Sequence, residues 1–213
     1  MILTDERFER YLEAGEQLLV KFGYEGFSIE AVAKALGVDP TAIQAAFGDR
    51  NNFIALIVRR ASRGVAEAIA RPDPGLEPAP AARLHHIALT YLRAVFSRPA
   101  LRIYRIAANA ANDQPHISVQ FRASAKEALQ RFASVLEHEI GITLPDGYSY
   151  EEAAGQFFAL CRGGLHHLTL FDVDFQPSDI AIETAARQGA DSFLRVFPIR
   201  ARDGVSPPLR SAG

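Results

Sequence analysis

The sequence predicts an all-α protein of about nine helices. Apolar residues recur at the i, i+3, i+4 spacing of amphipathic helices along most of the 213 residues. No segment shows the sustained alternation of apolar and polar residues that a half-buried strand requires. Glycine and proline stand at the breaks between the periodic segments, where they end or begin helices. We therefore expect helices alone to build the core.

Two helices separated by a short loop are expected first. The first helix has an apolar stripe over residues 8–22 and is expected to end at Gly23, because glycine readily takes the left-handed backbone at a helix C-terminus. Ser28 is of the residue type that caps a helix N-terminus and predicts the start of the second helix. Gly37 is expected to end that helix.

A third short helix and a long fourth helix follow. Asp39 and Pro40 predict the start of the third helix, because aspartate caps the N-terminus and proline fits the first helical position. Gly48 is expected to end the third helix, and Asp49 to cap the fourth. Residues 71–80 contain four prolines and predict a connector rather than a helix.

Five more helices are expected after the connector. The breaks between them are Pro99, Pro115 and the segments 144–147 and 176–178. The expected helices span about residues 81–97, 99–112, 116–141, 149–170 and 178–197. The tail, residues 200–213, holds two consecutive prolines and is expected to be disordered.

The composition indicates the cellular context. The single cysteine, Cys161, excludes an intrachain disulfide and fits a reducing compartment. Charged residues crowd positions 5–10, which argues against a secretory signal. No run of about 18 apolar residues occurs that would span a membrane. We therefore expect a cytoplasmic protein that has no membrane partner.

The sequence shows no arrangement of catalytic residues. It lacks a glycine-rich phosphate loop, a nucleophile elbow and paired carboxylates, so we expect neither an enzyme nor a cofactor. The pairs His85-His86 and His166-His167, together with Cys161, invite a metal site. Adjacent residues of a helix point about 100° apart, however, so one pair cannot easily chelate a metal. Structural histidines are expected instead, and no metal.

Residues 29–47 have the pattern of a helix-turn-helix. Ala33 is the small residue that such a motif needs where its two helices touch, and Gly37 tolerates a positive φ in the turn. The apolar residues expected beneath both helices are Val32, Leu36, Val38 and Ile43. The alternative is a helical hairpin with a glycine turn that does not bind DNA.

Residues 23–33, 37–43 and 47–50 resemble the N-terminal signature of TetR-type regulators. Residues 156–165 are similar to the eighth helix of the AefR-like subgroup, so the resemblance covers about residues 5–197. It implies a homodimeric, one-component transcription repressor. Such a protein binds a double-stranded DNA operator, and a small hydrophobic ligand modulates this binding.

The resemblance also implies how the chain is divided. Residues 1–48 correspond to a three-helix DNA-binding domain that contains the helix-turn-helix. The long fourth helix joins it to a helical ligand-binding and dimerisation domain, residues 49–199. Residues 200–213 then form the tail.

The candidate DNA contacts are Ser28, Thr41, Ala42, Gln44, Ala45 and Arg50. Thr41 can meet a thymine methyl group or a phosphate, and Gln44 can pair with adenine through two hydrogen bonds. Arg50 lies beside the backbone N–H groups that begin the fourth helix and can contact a phosphate. The chain departs from the family at Phe27, Gln44 and Ala46, where the family usually has threonine, an aromatic residue and a polar residue.

The charge balance leaves a second interpretation open. Residues 1–60 hold seven basic and nine acidic residues, and the third helix holds no basic residue. A DNA-binding surface usually shows a basic footprint. The alternative is a dimeric ligand- or protein-binding module of the same fold with weak or lost sequence-specific DNA binding.

Large apolar residues of the C-terminal half are candidates for a ligand cavity, because an aromatic-lined pocket suits a hydrophobic small molecule. These candidates are Leu92, Phe96, Tyr104, Phe121, Phe132, Phe157 and Leu160. The alternative is that they only fill the core, as aromatic residues at helical spacing more often do.

Small residues in the last two helices are candidates for a dimer interface, since they let helix axes approach closely. In the family, these two helices pair with their symmetry mates as a four-helix bundle. The candidates are Gly155, Ala159, Gly163, Gly164, Ala185, Gly189 and Phe193. The alternative is that these faces pack within one subunit.

Overall fold

The computed structural model describes residues 5–70, 79–109 and 115–200, and within these ranges the fold is all-α, as predicted. The described residues form nine α-helices: α1 (Asp5–Gly26), α2 (Ile29–Leu36), α3 (Pro40–Phe47), α4 (Arg50–Ala70), α5 (Pro80–Val95), α6 (Arg98–Asn109), α7 (Pro115–Val135), α8 (Tyr150–Phe171) and α9 (Asp179–Val196). A π-helical turn, Leu136–Ile140, follows α7, and an antiparallel bridge joins Ile142 to Ile199.

The helix ends agree with their local sequence signals, with one correction. The side chains of Ser28 and Asp39 cap α2 and α3, accepting backbone N–H hydrogen bonds of 3.1 and 2.8 Å. The first helix breaks at Gly23, where its end was expected, but a further helical turn follows the break. Gly23 has φ 72° and ψ −176°, and α1 continues beyond it to Gly26.

The expected helices after the connector correspond to α5 to α9, and residues 110–112, the expected end of the second of them, lie outside the described residues. The long helix expected over residues 116–141 is α7 followed by the π-helical turn. Most of the expected connector, residues 71–78, lies outside the described residues, as does the expected disordered tail from residue 201 onwards.

Helices α1 to α4 share a core that also includes part of α6. Phe47 of α3 stacks on Phe53 of α4, with ring centroids 4.4 Å apart, and its centroid lies 4.6 Å from that of Phe8 in α1. Ile103 and Ala107 of α6 are buried in the same cluster. We call this cluster the head core; its buried members include Leu19, Val32, Ile43, Phe47, Phe53, Ile54, Ile57, Ile103 and Ala107.

A second core forms between α5, α7, α8 and α9. Phe157 of α8 lies at its centre, with its ring centroid 4.8 Å from Phe132 and 5.2 Å from Phe193. All three rings are buried. Aromatic rings bury large areas and pack edge to face, so this trio joins three helices into one body.

Helices α8 and α9 approach closely at Gly189. A Cβ atom added there would lie 2.6 Å from the Cα atom of Cys161 and 2.8 Å from its backbone nitrogen. Real Cβ atoms do not come that close to a backbone, so only glycine allows the two helices to pack at this separation.

We predict that Gly189→Ala destabilises the protein. The added methyl group meets the backbone of α8, and such overpacking costs about 1–3 kcal/mol of unfolding free energy, more than the about 0.5–1 kcal/mol that alanine adds as a better helix former. The matched control is Gly155→Ala, because nothing lies within 4 Å of a Cβ atom there. Urea unfolding followed by circular dichroism measures both. Equal stability of the two variants would contradict the close approach.

Candidate functional site

The turn between α2 and α3 has the geometry that a helix-turn-helix requires. Gly37 lies in the left-handed region, with φ 67° and ψ 35°, and ends α2. The backbone N–H of Val38 donates to the carbonyl of Ala33 at 3.0 Å, which closes the turn. Val32, Ala33 and Ile43 are buried beneath the two helices. This fixes the orientation of α3 relative to α2.

The outer face of α3 is exposed. Thr41, Gln44 and Ala45 are exposed on it, while Ala42 and the α2 cap Ser28 are half-buried. The hydroxyl and the backbone N–H of Thr41 both donate to the Asp39 carboxylate. Hydrogen bonds from the Thr41 hydroxyl and then from its N–H lower the pKa of Asp39, so this carboxylate stays charged at the start of α3.

Arg50 holds the segment that precedes α2. Its Nε donates to the carbonyl of Phe27 at 2.9 Å, and another guanidinium N–H donates to the carbonyl of Tyr24. The guanidinium also lies 4.4 Å from the centroid of the Tyr24 ring and donates to the side-chain oxygen of Asn51. The sequence suggests a phosphate contact for Arg50, whereas the structure uses much of its hydrogen-bonding capacity inside the protein.

The helix-turn-helix surface carries little positive charge. Lys34 is the only basic residue between Ser28 and Gly48, and it is exposed together with the acidic residues Glu30 and Asp39. Nonspecific DNA affinity comes mainly from basic contacts to phosphates. Any recognition by this surface therefore depends on α3 side chains and on backbone N–H groups more than on charge.

A cavity of about 280 Å³ lies between α4, α5, α6, α7 and α8. Aromatic side chains form much of its wall, and the polar side chains Arg162 and His166 line one part of it. The aromatic residues are Tyr91, Tyr104, Phe121 and Phe158. The volume is close to the lower end of the range for small-molecule sites.

Two of the seven residues that the sequence suggested for a ligand cavity line it. Tyr104 and Phe121 line it, with ring centroids 5.3 Å apart. Leu160 is instead exposed on the surface, with 39% of its area accessible. The other four are buried in the second core: Leu92, Phe96, Phe132 and Phe157.

The α8 side of this cavity was not predicted from the sequence. Gly155, Phe158 and Arg162 follow one another at three- and four-residue steps and therefore lie on one face of α8, and His166, beyond the break at Gly163, lines the same cavity. A charged residue at such a spacing on an otherwise apolar face was the available signal.

Burial controls the protonation of the cavity's polar residues. Burial, followed by the positive charge of Arg162 and by His167, lowers the pKa of His166 to about 4, so its imidazole is neutral at pH 7. Its Nδ1 is buried and has no hydrogen-bond partner within the described residues. Burial also raises to about 12 the pKa of Tyr91, which lines the cavity, and that of Cys161, which lies in the second core, so the phenol and the thiol stay protonated.

The histidine pairs do not converge on a metal site in the described part of the chain. No group of three metal-ligating side chains is present there. Nε2 of His85 lies 2.7 Å from the Asp191 carboxylate and ties α5 to α9. His166 packs edge to face on Tyr104, with ring centroids 5.3 Å apart. Among the described helices, none is long and apolar enough to cross a membrane.

The suggested dimer residues fall into separate groups. Ala159, Gly163 and Gly164 are exposed on α8. Gly155 is half-buried and lines the cavity, and Ala185 is half-buried against the second core.

Gly189 and Phe193 correct the sequence interpretation. Both are buried within the subunit, Gly189 against Cys161 and Phe193 against Phe157. They pack α9 onto α8 of the same chain, because their face of α9 points inward. Helices α8 and α9 also expose five large apolar side chains: Leu160, Leu168, Phe171, Ile180 and Val196.

Two family models match this chain. Residues 12–57 match the model for bacterial regulatory proteins of the tetR family. Residues 82–198 match the model for the C-terminal domain of AefR-like transcriptional repressors. No match was found among curated protein sequences.

Solved structures share the fold. A protein from Mesorhizobium loti described as a TetR-family transcriptional regulator superposes with a TM-score of 0.78 at 17% identity, covering 92% of this chain and 99% of that one. The flavonoid-responsive regulator FrrA has a TM-score of 0.69 at 25% identity, covering 93% and 100%. A TetR transcriptional regulator from Agrobacterium tumefaciens has a TM-score of 0.69 at 18% identity, covering 92% and 95%.

We predict that His166 makes the protein less stable as the pH falls from about 6.5, the usual histidine pKa, towards 4. The folded-state pKa of about 4 lies below that of the unfolded chain. The unfolded state therefore takes up a proton first, and stability is lost across this window. His166→Phe keeps a ring against Tyr104 and removes the titration. Its melting temperature should fall less than that of the wild type between pH 7.5 and pH 5. Parallel curves for the two proteins would be evidence against a neutral His166 in the folded state.

Proposed function

This chain belongs to the TetR family of transcriptional regulators, and we propose that it is a homodimeric repressor whose operator binding is modulated by a small ligand in the cavity. One observation carries this proposal: the cavity and the head core share a wall. Ile103 of α6 lines the cavity and is also buried in the head core. A ligand that displaces α6 therefore acts on the body that orients the helix-turn-helix.

Two further features support coupling between the cavity and the head, by which we mean α1 to α4 with their shared core. Ala61 and Ser62 of α4 line the cavity, three turns along the helix that begins at Arg50. Arg102 of α6 donates to the carbonyl of Val20 in α1 at 2.6 Å. Ligand binding shifts the population between two head orientations only if it favours one of them. In a dimer, the shift changes the spacing of the two α3 helices, which must be about 34–36 Å to reach successive major grooves.

The exposed face of α8 and α9 supports a homodimer. The small residues Ala159, Gly163 and Gly164 lie on α8 beside Leu160 and Leu168, which are 39% and 52% exposed. Small residues permit close helix approach, and large apolar side chains on a surface mark an interaction site. Two such faces related by a two-fold axis would form a four-helix bundle.

The α3 surface supports sequence recognition with few phosphate contacts. Gln44 and Thr41 are its exposed polar side chains, and Arg50 acts mainly by holding the loop before α2 in place. The similarity to FrrA, which by its name responds to flavonoids, supports a small aromatic ligand. The match to AefR-like repressors supports repression rather than activation.

The scarcity of basic residues favours one second candidate, a dimeric ligand-binding module that does not recognise an operator. Selection of bound fragments from random double-stranded DNA at low salt distinguishes the two. A recovered palindrome with half-sites about one helical turn apart supports the repressor. If no preferred sequence is recovered, the repressor is excluded and the ligand-binding module is supported instead.

We predict that Gln44→Ala weakens binding to the selected operator by about 1–3 kcal/mol, the usual value of a bidentate contact to adenine. Binding to random DNA should hardly change, because the contact reads a base and not a phosphate. Fluorescence anisotropy with labelled duplexes measures both affinities. The control is Gln130→Ala, an exposed glutamine of α7. An equal loss on operator and random DNA would remove the specificity role of Gln44.

We predict that Ala159→Arg shifts the protein from dimer towards the 23.3 kDa monomer. The arginine brings an unpaired charge into the face of α8 where two helices would meet. Light scattering at micromolar concentration measures the mass. Ala123→Arg, on the exposed face of α7, is the control and should stay dimeric. Gly163 is unsuitable for this test, because its φ of 46° strains any replacement. A monomeric wild type would exclude the dimer.

A further inference from the structure

Arg162 is the one formally charged side chain among the described residues that line the cavity. It is half-buried, and its Nε donates to the carbonyl of Phe158 in its own helix at 3.3 Å. It makes no ion pair within the described residues, and no aspartate or glutamate lines the cavity. A charged group in apolar surroundings is costly unless an opposite charge and hydrogen bonds compensate it. The described residues that line the cavity therefore leave this positive group without a neutralising partner.

The polar groups near Arg162 are suited to an anion. Arg162, Tyr91 and His166 all line the cavity, and the Tyr91 ring packs on Phe158, whose carbonyl accepts the hydrogen bond from Arg162. The phenol of Tyr91 keeps its proton and makes no hydrogen bond to another described residue, so it is available to a ligand acceptor. His166 is neutral at pH 7 and adds no second charge. A ligand with one negative charge and acceptor oxygens matches this set.

The rest of the wall is suited to an aromatic body. The ring centroids of Tyr91 and Phe158 are 4.4 Å apart, and those of Tyr104 and Phe121 are 5.3 Å apart. The hydroxyls of Ser62 and Ser124 donate to carbonyls of their own helices at 3.0 Å, so they do not call for a ligand partner. A cavity of about 280 Å³ has room for a ligand of one or two rings.

We propose that the cavity binds a small aromatic carboxylate, with its rings among Tyr104, Phe121 and Phe158 and its carboxylate paired with the Arg162 guanidinium. This inference rests on the proposed ligand-sensing function and narrows it to a chemical class. Arginine presents parallel N–H donors that fit the two oxygens of a carboxylate. The neutral analogue with the same rings lacks the charge and leaves the guanidinium uncompensated.

Isothermal titration calorimetry of the full-length protein without DNA tests the ligand class. The probes are 2-naphthoate and 2-naphthalenemethanol, which share their rings and differ in the anionic group. The wild type should bind the acid at least about tenfold more tightly than the alcohol at pH 7.5, as a charge-assisted hydrogen-bonded pair provides. Equal affinity for the two probes, or binding of neither at millimolar concentration, would overturn the assignment.

Variants at Arg162 assign the preference to that residue. Arg162→Gln should lose the preference for naphthoate and keep its affinity for the alcohol, whereas Arg162→Lys should retain part of the preference. Arg122→Gln, an exposed arginine of α7, is the matched control and should behave like the wild type. An unchanged preference in Arg162→Gln would overturn the proposal. If that variant does not fold, the wild-type comparison of the two probes still tests whether the cavity prefers a carboxylate.

The test separates this inference from the proposed function. Operator selection uses the ligand-free protein, so intact operator binding together with equal affinity for both probes overturns the ligand class alone. Naphthoate binding that depends on Arg162, in a protein without sequence preference for DNA, overturns the repressor and leaves the ligand class standing.

Discussion

The packing of α4 between the head core and the rest of the molecule is the constraint on which the other features depend. Phe53, Ile54, Ile57 and Val58 of this helix are completely buried. Each such side chain contributes about 1.5–3 kcal/mol of burial free energy. One turn further on, the same helix provides Ala61 to the cavity wall. Because close-packed interiors deform little, α4 transmits a change at one end to the other more readily than it absorbs it.

The head is held together by contacts that also determine its surface. Arg50 begins α4 and donates hydrogen bonds to Phe27, Tyr24 and Asn51, so the arginine that follows α3 in the sequence stabilises the fold. Asp39 caps α3 and keeps its negative charge there. Both sets of contacts favour a well-defined orientation of α3 over strong nonspecific attraction to phosphates. In the proposed function, recognition by such a surface would depend on shape and base contacts, and hence on Gln44.

Three faces of α8 lie in three different environments. One face packs Phe157 and Cys161 into the second core, a second face presents Phe158 and Arg162 to the cavity, and a third exposes Ala159 and its apolar neighbours. Gly163 interrupts the helix with a φ of 46° immediately after Arg162. Any ligand held by Arg162 therefore sits beside a break in the helix that also carries the exposed face. The proposed ligand site and the proposed subunit interface therefore share one helix.

The local signals in the sequence determined the helices, their caps and the helix-turn-helix. A cap such as Ser28 or Asp39 and a turn glycine such as Gly37 act on backbone groups within a few residues, so neighbours in the chain are sufficient to predict them. Only the tertiary structure decided which apolar residues surround the cavity, that Gly189 packs inside the subunit, and that Arg50 holds a loop. These roles depend on which of several helices lies opposite a given face. Tyr104 and Phe132 have similar sequence surroundings, yet one meets a void and the other a packed core. Periodicity indicates that a helix face is buried. Whether a cavity remains depends on the distance to the facing helix, and side chains far away in the chain set that distance.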